Sequence, residues 1–166
     1  GSRRRSSHAT ERARAKLMNQ PPVYEIRDYD GETDDCLVFD SWTKACRFSC
    51  VPQLRWPGEM RRIHRQLISD LLANCPAKVA AIPDNPRVIY GWGCGGLLPD
   101  SGLQVLHMLY VRAGWRERGI GTALLKSLLP AVGDSEIYYT HRTQGALKWG
   151  KRHKGIWNPY LLQELV

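Results

Sequence analysis

Residues 105–121, VLHMLYVRAGWRERGIG, hold the densest group of chemically capable side chains in this sequence. Arg116, Glu117, Arg118, Gly119, Ile120 and Gly121 place two cations and two residues without a Cβ directly before the helix-favouring run from Thr122 to Leu129. The first turn of a helix carries unpaired N–H groups and the positive end of the dipole, and glycine lets an anion approach the backbone. That order describes an anion site, above all one for phosphate. The same R-x-x-G-x-G letters also fit a ligand-free turn into a core helix, and the apolar strand before them and amphipathic helix after them favour the ligand. Upstream, Val105 to Val111 is an apolar run broken by His107. Imidazole titrates near neutrality, so His107 suits acid–base work, or else it is a hydrogen-bonded core residue.

The elements that must position these residues follow from periodicity and punctuation. Val23 to Tyr29 alternates as a strand, and Thr33 or Asp34 is expected to cap a helix through about Phe48, turning Leu37, Val38, Trp42 and Ala45 inward. A proline-broken loop, Ser49 to Gly58, reads as a substrate-side connection. A second helix from Glu59 to Asn74 carries the stripe Ile63, Leu67, Leu71 and Leu72, with His64 at its boundary. Lys78–Ile82 and Val88–Leu98 form a hairpin, the key strand follows, and after the third helix Glu136–Thr140 is a further strand. Residues 143–154 make a basic helix stopped by Gly155, and Ile156 to Leu162 is a last extended piece. The order is β-α-α-β-β-β-α-β-α-β.

At 166 residues the chain suits one domain. Residues 1–21 are expected to be a disordered basic tail and residues 22–166 the domain. No apolar run approaches the ~18 residues that span a bilayer, and no secretory segment is evident, so a cytoplasmic protein without membrane contact is expected. Five cysteines, an odd number among apolar neighbours, read as reduced thiols, and Cys46, Cys50 and His64 match no strong zinc pattern, so no metal is assigned. The net charge of +8 is concentrated at two places. Arg3, Arg4, Arg5, Arg12, Arg14 and Lys16 stand against Glu11 in residues 1–20, and Arg142, Lys148, Lys151, Arg152 and Lys154 stand against no acid in residues 141–154. Such clusters point to a polyanion, or else to solvated surfaces.

With this order of elements and Arg116, Gly119 and Gly121 matching Q/R-x-x-G-x-G/A, residues 23–162 resemble the GCN5-related N-acetyltransferase (GNAT) superfamily. The fragments SWTKACR, HRQLI, VIYGW, VLHMLYV, YYTHRT and WNPYL are similar to acetyltransferase-like proteins of bacteriophages, and the context resembles the Mom proteins that modify adenine in DNA. The resemblance implies an α/β fold: a mixed central sheet with a V-shaped split between its fourth and fifth strands, flanked by about four helices. It implies acetyl-CoA or another acyl-CoA as cofactor. Leu109, Tyr110 and Val111 would face pantetheine by main chain, and Arg116, Glu117, Arg118, Gly119, Ile120, Gly121 and Thr122 would surround the pyrophosphate.

The family's usual acid, a tyrosine one helical turn before a G-F pair, is absent here: counting back from Gly155-Ile156 reaches Lys151. His107 is then the first choice for base, with Tyr139 or Tyr160 as donor to the departing thiolate. His141, Arg142, Lys148, Lys151 and Arg152 would contact the acceptor. The expected activity is acyl-CoA-dependent N-acylation of an amine of nucleic acid or of an acceptor bound to it, phage DNA modification included, in the host cytoplasm if phage-encoded. The alternatives are protein or small-amine acetylation, and a degenerate fold that binds nucleic acid or a partner.

Overall fold

The computed structural model describes residues 21–46, 57–133 and 135–165. The basic segment 1–20 and most of the loop expected between the first two helices lie outside the described residues. Six strands form one sheet in sequence order: β1 (Glu25–Asp28), β2 (Ala77–Ile82), β3 (Asn85–Leu97), β4 (Gln104–Val111), β5 (Ile137–Tyr139) and β6 (Ile156–Trp157). Neighbours are antiparallel from β1 to β4 and parallel from β4 to β6. The helices are α1 (Gly31–Cys46), α2 (Pro57–Asn74), α3 (Ile120–Leu128) and α4 (Gln144–His153). The expected mixed sheet with four helices is therefore the fold observed, and the parallel steps are made through α3 and α4 because parallel neighbours need a crossover.

Two apolar layers sandwich the sheet. On one face Val38 and Trp42 of α1 and Ile68 and Leu71 of α2 pack on Val79, Ala81, Ile89, Trp92 and Met108. On the other, Ile120 and Leu124 of α3 meet Ala80 and Tyr90, while Leu125, Leu128 and Leu129 meet Leu106, Ile137 and Tyr139, with Ala146 and Trp149 of α4 alongside. Gly93 sets how closely α3 lies on β3, since a Cβ there would stand 2.8 Å from Leu128 Cδ1.

Several local expectations change. Asp30, not Thr33 or Asp34, opens α1: its carboxylate accepts from the Glu32 N–H, and its carbonyl accepts from the Thr33 and Asp34 N–H groups. Asp34 is fully buried and accepts two hydrogen bonds from Arg27, at 2.7 and 2.8 Å, and one from the Asp30 N–H at 2.9 Å. The α2 stripe is rotated from the expected one: Ile63 is exposed, while His64 and Ile68 are buried, because 64, 68 and 71 share the inward face. After the short β6, the chain coils as a 3-10 segment, Pro159–Leu165, instead of staying extended.

Burial pushes the Asp34 carboxyl up, but hydrogen bonds from Arg27, the Asp30 N–H and Thr33 more than reverse this and hold it below the ordinary aspartate value. Its contribution is complete above that ordinary value and is lost as pH falls through the lower folded-state value. Asp34→Asn is expected to cost about 3 kcal/mol in urea unfolding at neutral pH, since it leaves the Arg27 side of the pair unmatched. The stabilities of wild type and variant should converge towards the acid end.

Candidate active site

The site is built where β5 leaves β4. Their pairing covers Gln104–Leu106 against Ile137–Tyr139 and ends with the Thr140 N–H donating to the Leu106 carbonyl at 3.2 Å. The chain then turns into α4, whose first turn is capped by the Thr143 hydroxyl accepting from the Ala146 N–H at 3.1 Å. Beyond Leu106, β4 continues with β3 as its only strand neighbour among the described residues.

A bulge lies at the same point. Cys94 pairs with Met108 and Gly95 with Leu106, so His107 is the extra residue on β4. The bulge inverts the alternation: Leu106 faces α3, whereas the next even residues, Met108 and Tyr110, pack with the layer of α1 and α2. The Arg112 N–H donates to the Tyr90 carbonyl at 2.9 Å. By antiparallel alternation the main-chain groups of Tyr110 also turn to β3, and those of Leu109 and Val111 turn to the open edge. The Val111 carbonyl there accepts from Arg116 Nε at 3.0 Å.

Two cavities meet at this edge. One, about 180 Å³, runs between His107, Met108, Leu109 and Val111 on β4 and Tyr139, His141, Ala146 and Trp149 opposite. The second, about 350 Å³, lies on the α1 side against Leu37, Asp40, Ser41 and Lys44. They share Met108, Leu109, Arg116, Thr143 and Gly145, and so form one cleft crossing the sheet where β4 and β5 part.

The anion loop sits beside it. Gly119 occupies the N-cap of α3 with φ 81°, a conformation natural to glycine, and no side chain caps the helix. The Ala123 N–H donates to Gly119 O at 2.9 Å, so the earlier N–H groups of the first turn have no intrahelical acceptor. The Arg118 guanidinium lies 5.0 Å over the Trp115 ring, which itself stands 4.1 Å from Tyr90. Glu117, also with positive φ, and Thr122 are exposed, whereas the Ile120 side chain is in the core and only its main chain is available to a ligand.

At the mouth of the split the imidazoles of His107 and His141, each 3% exposed, flank the Thr140 hydroxyl: His107 Nδ1 at 3.0 Å and His141 Nδ1 at 2.9 Å. His107 Nε2 is 3.5 Å from Cys75 Sγ. Burial, with His107 and His64 nearby, pushes His141 down to about 3, and the His107 carbonyl opposes this only slightly. Burial also lowers His64, whose ring nitrogens find no partner among the described residues. Among those residues no cluster of His, Cys, Asp or Glu is arranged to hold a metal ion.

Against solved structures, the histone acetyltransferase HPA2 and related acetyltransferase of Corynebacterium glutamicum superposes with a TM-score of 0.53 at 17% identity, over 79% of this chain and 83% of that one. The chain has the GNAT fold. A GNAT-family acetyltransferase of Staphylococcus aureus Mu50 aligns at 18% identity and TM-score 0.44 over 64% of each chain. The ribosomal-protein-alanine N-acetyltransferase of Brucella melitensis aligns at 13% identity and TM-score 0.41, over 87% of this chain and 88% of that one. No family model matches the sequence, and no curated protein does.

On this GNAT scaffold His107, Tyr139 and His141 come together at the cleft, and Tyr139 stands edge-on to Trp149. Tyr160 does not join them: it is 72% exposed on the C-terminal 3-10 segment. His141, expected at an acceptor phosphate, is instead a buried neutral imidazole and carries no charge to offer one. Arg142 is exposed over the Trp157 ring, and Lys148, Lys151 and Arg152 are exposed on α4, whereas Ala146 and Trp149 of that helix line the cleft. Thr140 and Cys75 had no sequence signal beyond lying next to a histidine or in an apolar stretch.

The depressed value of His141 has a thermodynamic sign. The unfolded chain takes up a proton as pH falls below 6.5 while the folded chain does not. Unfolding free energy should therefore fall below that pH, and His141→Gln should make the fall shallower when denaturant curves are compared between about pH 6.5 and 4.

Proposed function

We propose that this chain is an acyl-CoA-dependent N-acyltransferase, with acetyl-CoA as the donor. The observation that carries the reading is the open edge of β4 lying between a cleft that crosses the sheet and an uncapped helix start. Leu109 and the Val111 N–H offer main-chain groups along an edge without a strand partner among the described residues, which suits an extended amide-bearing arm laid down like an added strand. The N–H groups of Gly119, Ile120, Gly121 and Thr122, without an intrahelical acceptor, suit a pyrophosphate, with Arg116 and Arg118 supplying positive charge. The residues present therefore fit coenzyme A. The thioester, when bound, supplies an activated carbonyl. His141 and His107 would handle the acceptor's proton, and Tyr139 in the cleft wall would be the hydrogen-bond donor to a departing sulfur.

The acceptor in this proposal is an amine of nucleic acid, or of a component bound to it, which includes DNA modification of the kind the Mom resemblance implies. What supports it is the exposed charge of Arg142, Lys148, Lys151 and Arg152 around the helix that walls the cleft, which would hold phosphates without reading sequence.

Calorimetry with acetyl-CoA tests the donor. Gly119→Asp sets a carboxylate at the helix start and Arg118→Glu reverses a charge, and each is expected to weaken binding at least about tenfold. No binding by the wild type, or binding indifferent to both substitutions, would leave a ligand-free fold as the better reading. Retention on DNA should decline with salt, and should decline further in a Lys148→Glu, Lys151→Glu, Arg152→Glu variant; equal retention of the two overturns the acceptor.

A further inference from the structure

A base in the cleft faces a difficulty that the packing poses. His141 lines the cleft but is buried, and the charges that act on it are those of two more histidines, His107 on β4 and His64 on α2. An imidazole in that position does not hold an added proton as a cation near neutrality. Its usefulness depends on passing a proton onward.

The geometry supplies a way onward. Thr140 Oγ1 lies within hydrogen-bond distance of two Nδ1 atoms, 2.9 Å from His141 and 3.0 Å from His107. A hydroxyl has one proton to donate and two lone pairs to accept with, so at most one of these nitrogens accepts from Thr140 and at least one donates to it. Whenever the Thr140 proton points to one ring and the other ring donates to its oxygen, the two rings hold opposite tautomers. The far nitrogen of His107 meets Cys75 Sγ at 3.5 Å, and the buried Cys94 thiol donates to the same sulfur. Two donors converging on one sulfur favour its thiolate, and they hold the Cys75 thiol below its ordinary value, against the effect of burial.

We propose that Cys75, His107, Thr140 and His141 form a proton relay that moves the acceptor's proton from the cleft to the Cys75 sulfur. The inference rests on the acyltransferase reading. In the resting arrangement of this relay Cys75 is a thiolate bonded by His107 Nε2–H, His107 Nδ1 accepts from Thr140, and Thr140 accepts from His141 Nδ1–H, which leaves the Nε2 of this cleft-lining ring without a proton. As the acceptor nitrogen's pair forms the amide bond and the C–S pair leaves with sulfur, His141 Nε2 takes the nitrogen's proton. His141 then gives its Nδ1 proton to Thr140, Thr140 gives its own to His107 Nδ1, and His107 gives its Nε2 proton to Cys75. Each transfer moves with the next, so His141 never holds two ring protons at once, and the negative charge passes from one sulfur, that of Cys75, to another, that of the donor. The same steps in reverse carry the proton from Cys75 to His141 Nε2 and on to the donor's thiolate, which leaves as a thiol, and Cys75 is again ionised.

Imidazole ¹⁵N NMR on the full chain, without ligand, reads the relay directly. As Cys75 ionises with rising pH, both tautomers should invert together and with one midpoint, His107 from Nδ1–H to Nε2–H and His141 from Nε2–H to Nδ1–H. Thr140→Val should leave the His141 tautomer insensitive to Cys75, Cys75→Ser should abolish the inversion in both rings, and Thr140→Ser should restore it. In turnover, Thr140→Val is expected to lower kcat about hundredfold while KM for acetyl-CoA stays within about twofold.

The same Nδ1 state in both rings, or an inversion that survives Thr140→Val, overturns the relay. Calorimetry with acetyl-CoA on the same samples separates the two ideas. Binding without tautomer coupling sinks the relay and leaves the acyltransferase reading standing. Coupling without binding overturns that reading, and with it the relay's catalytic use.

Discussion

The parting of β4 from β5 is the constraint on which the rest of the molecule depends. Three residue pairs join them, and then the Thr140 hydroxyl turns to two histidines while Thr143 starts a helix. A strand that stayed paired would bury its amides in the sheet and close the cleft. Because β5 departs, β4 keeps its far half tied only to β3, and its outward amides face a cavity. The bulge at His107 falls at the same level, so the change of strand partner and the change of side-chain face occur together. One bend in the topology thus creates the edge, the cleft and the histidine pair.

The anion loop is held in register with that cleft by packing rather than by contact with it. Gly93 lets α3 lie directly on β3, and β3 in turn pairs with β4 through Gly91↔Val111 and Cys94↔Met108. Tyr90 on β3 carries Trp115, and Trp115 carries Arg118. The distance from helix start to open strand edge is therefore fixed through the middle of the sheet, where side chains are densest and least able to yield.

Much of this was legible in the residues. The apolar run before R-x-x-G-x-G and the helix after it announced a buried strand, a turn and a helix start, and glycine and proline punctuation placed the hairpin. The bulge was hidden because VLHMLYV is apolar on both faces, so no alternation exists to be seen to invert; His107 alone marked it. Residue type alone puts Ile63 in the α2 stripe, whereas helical angle gives the inward place to His64. Residue type also puts Tyr160 and His141 at the site, whereas their use is decided by burial, which depends on chain segments distant in sequence. The hydroxyl of Thr140 had no sequence signature at all, since its importance lies in two partners that the fold brings to it.

The cleft that crosses the sheet has one more consequence. On the proposed reading the donor lies along the β4 edge on the α3 side, and the acceptor can arrive from the α1 side through the part of the passage lined by Ser41 and Asp40. Two visitors with separate doors do not obstruct one another, so each product can leave by the way its precursor entered. No covalent acyl-enzyme is then required to keep the two halves of the reaction apart in time, and architecture alone separates them in space.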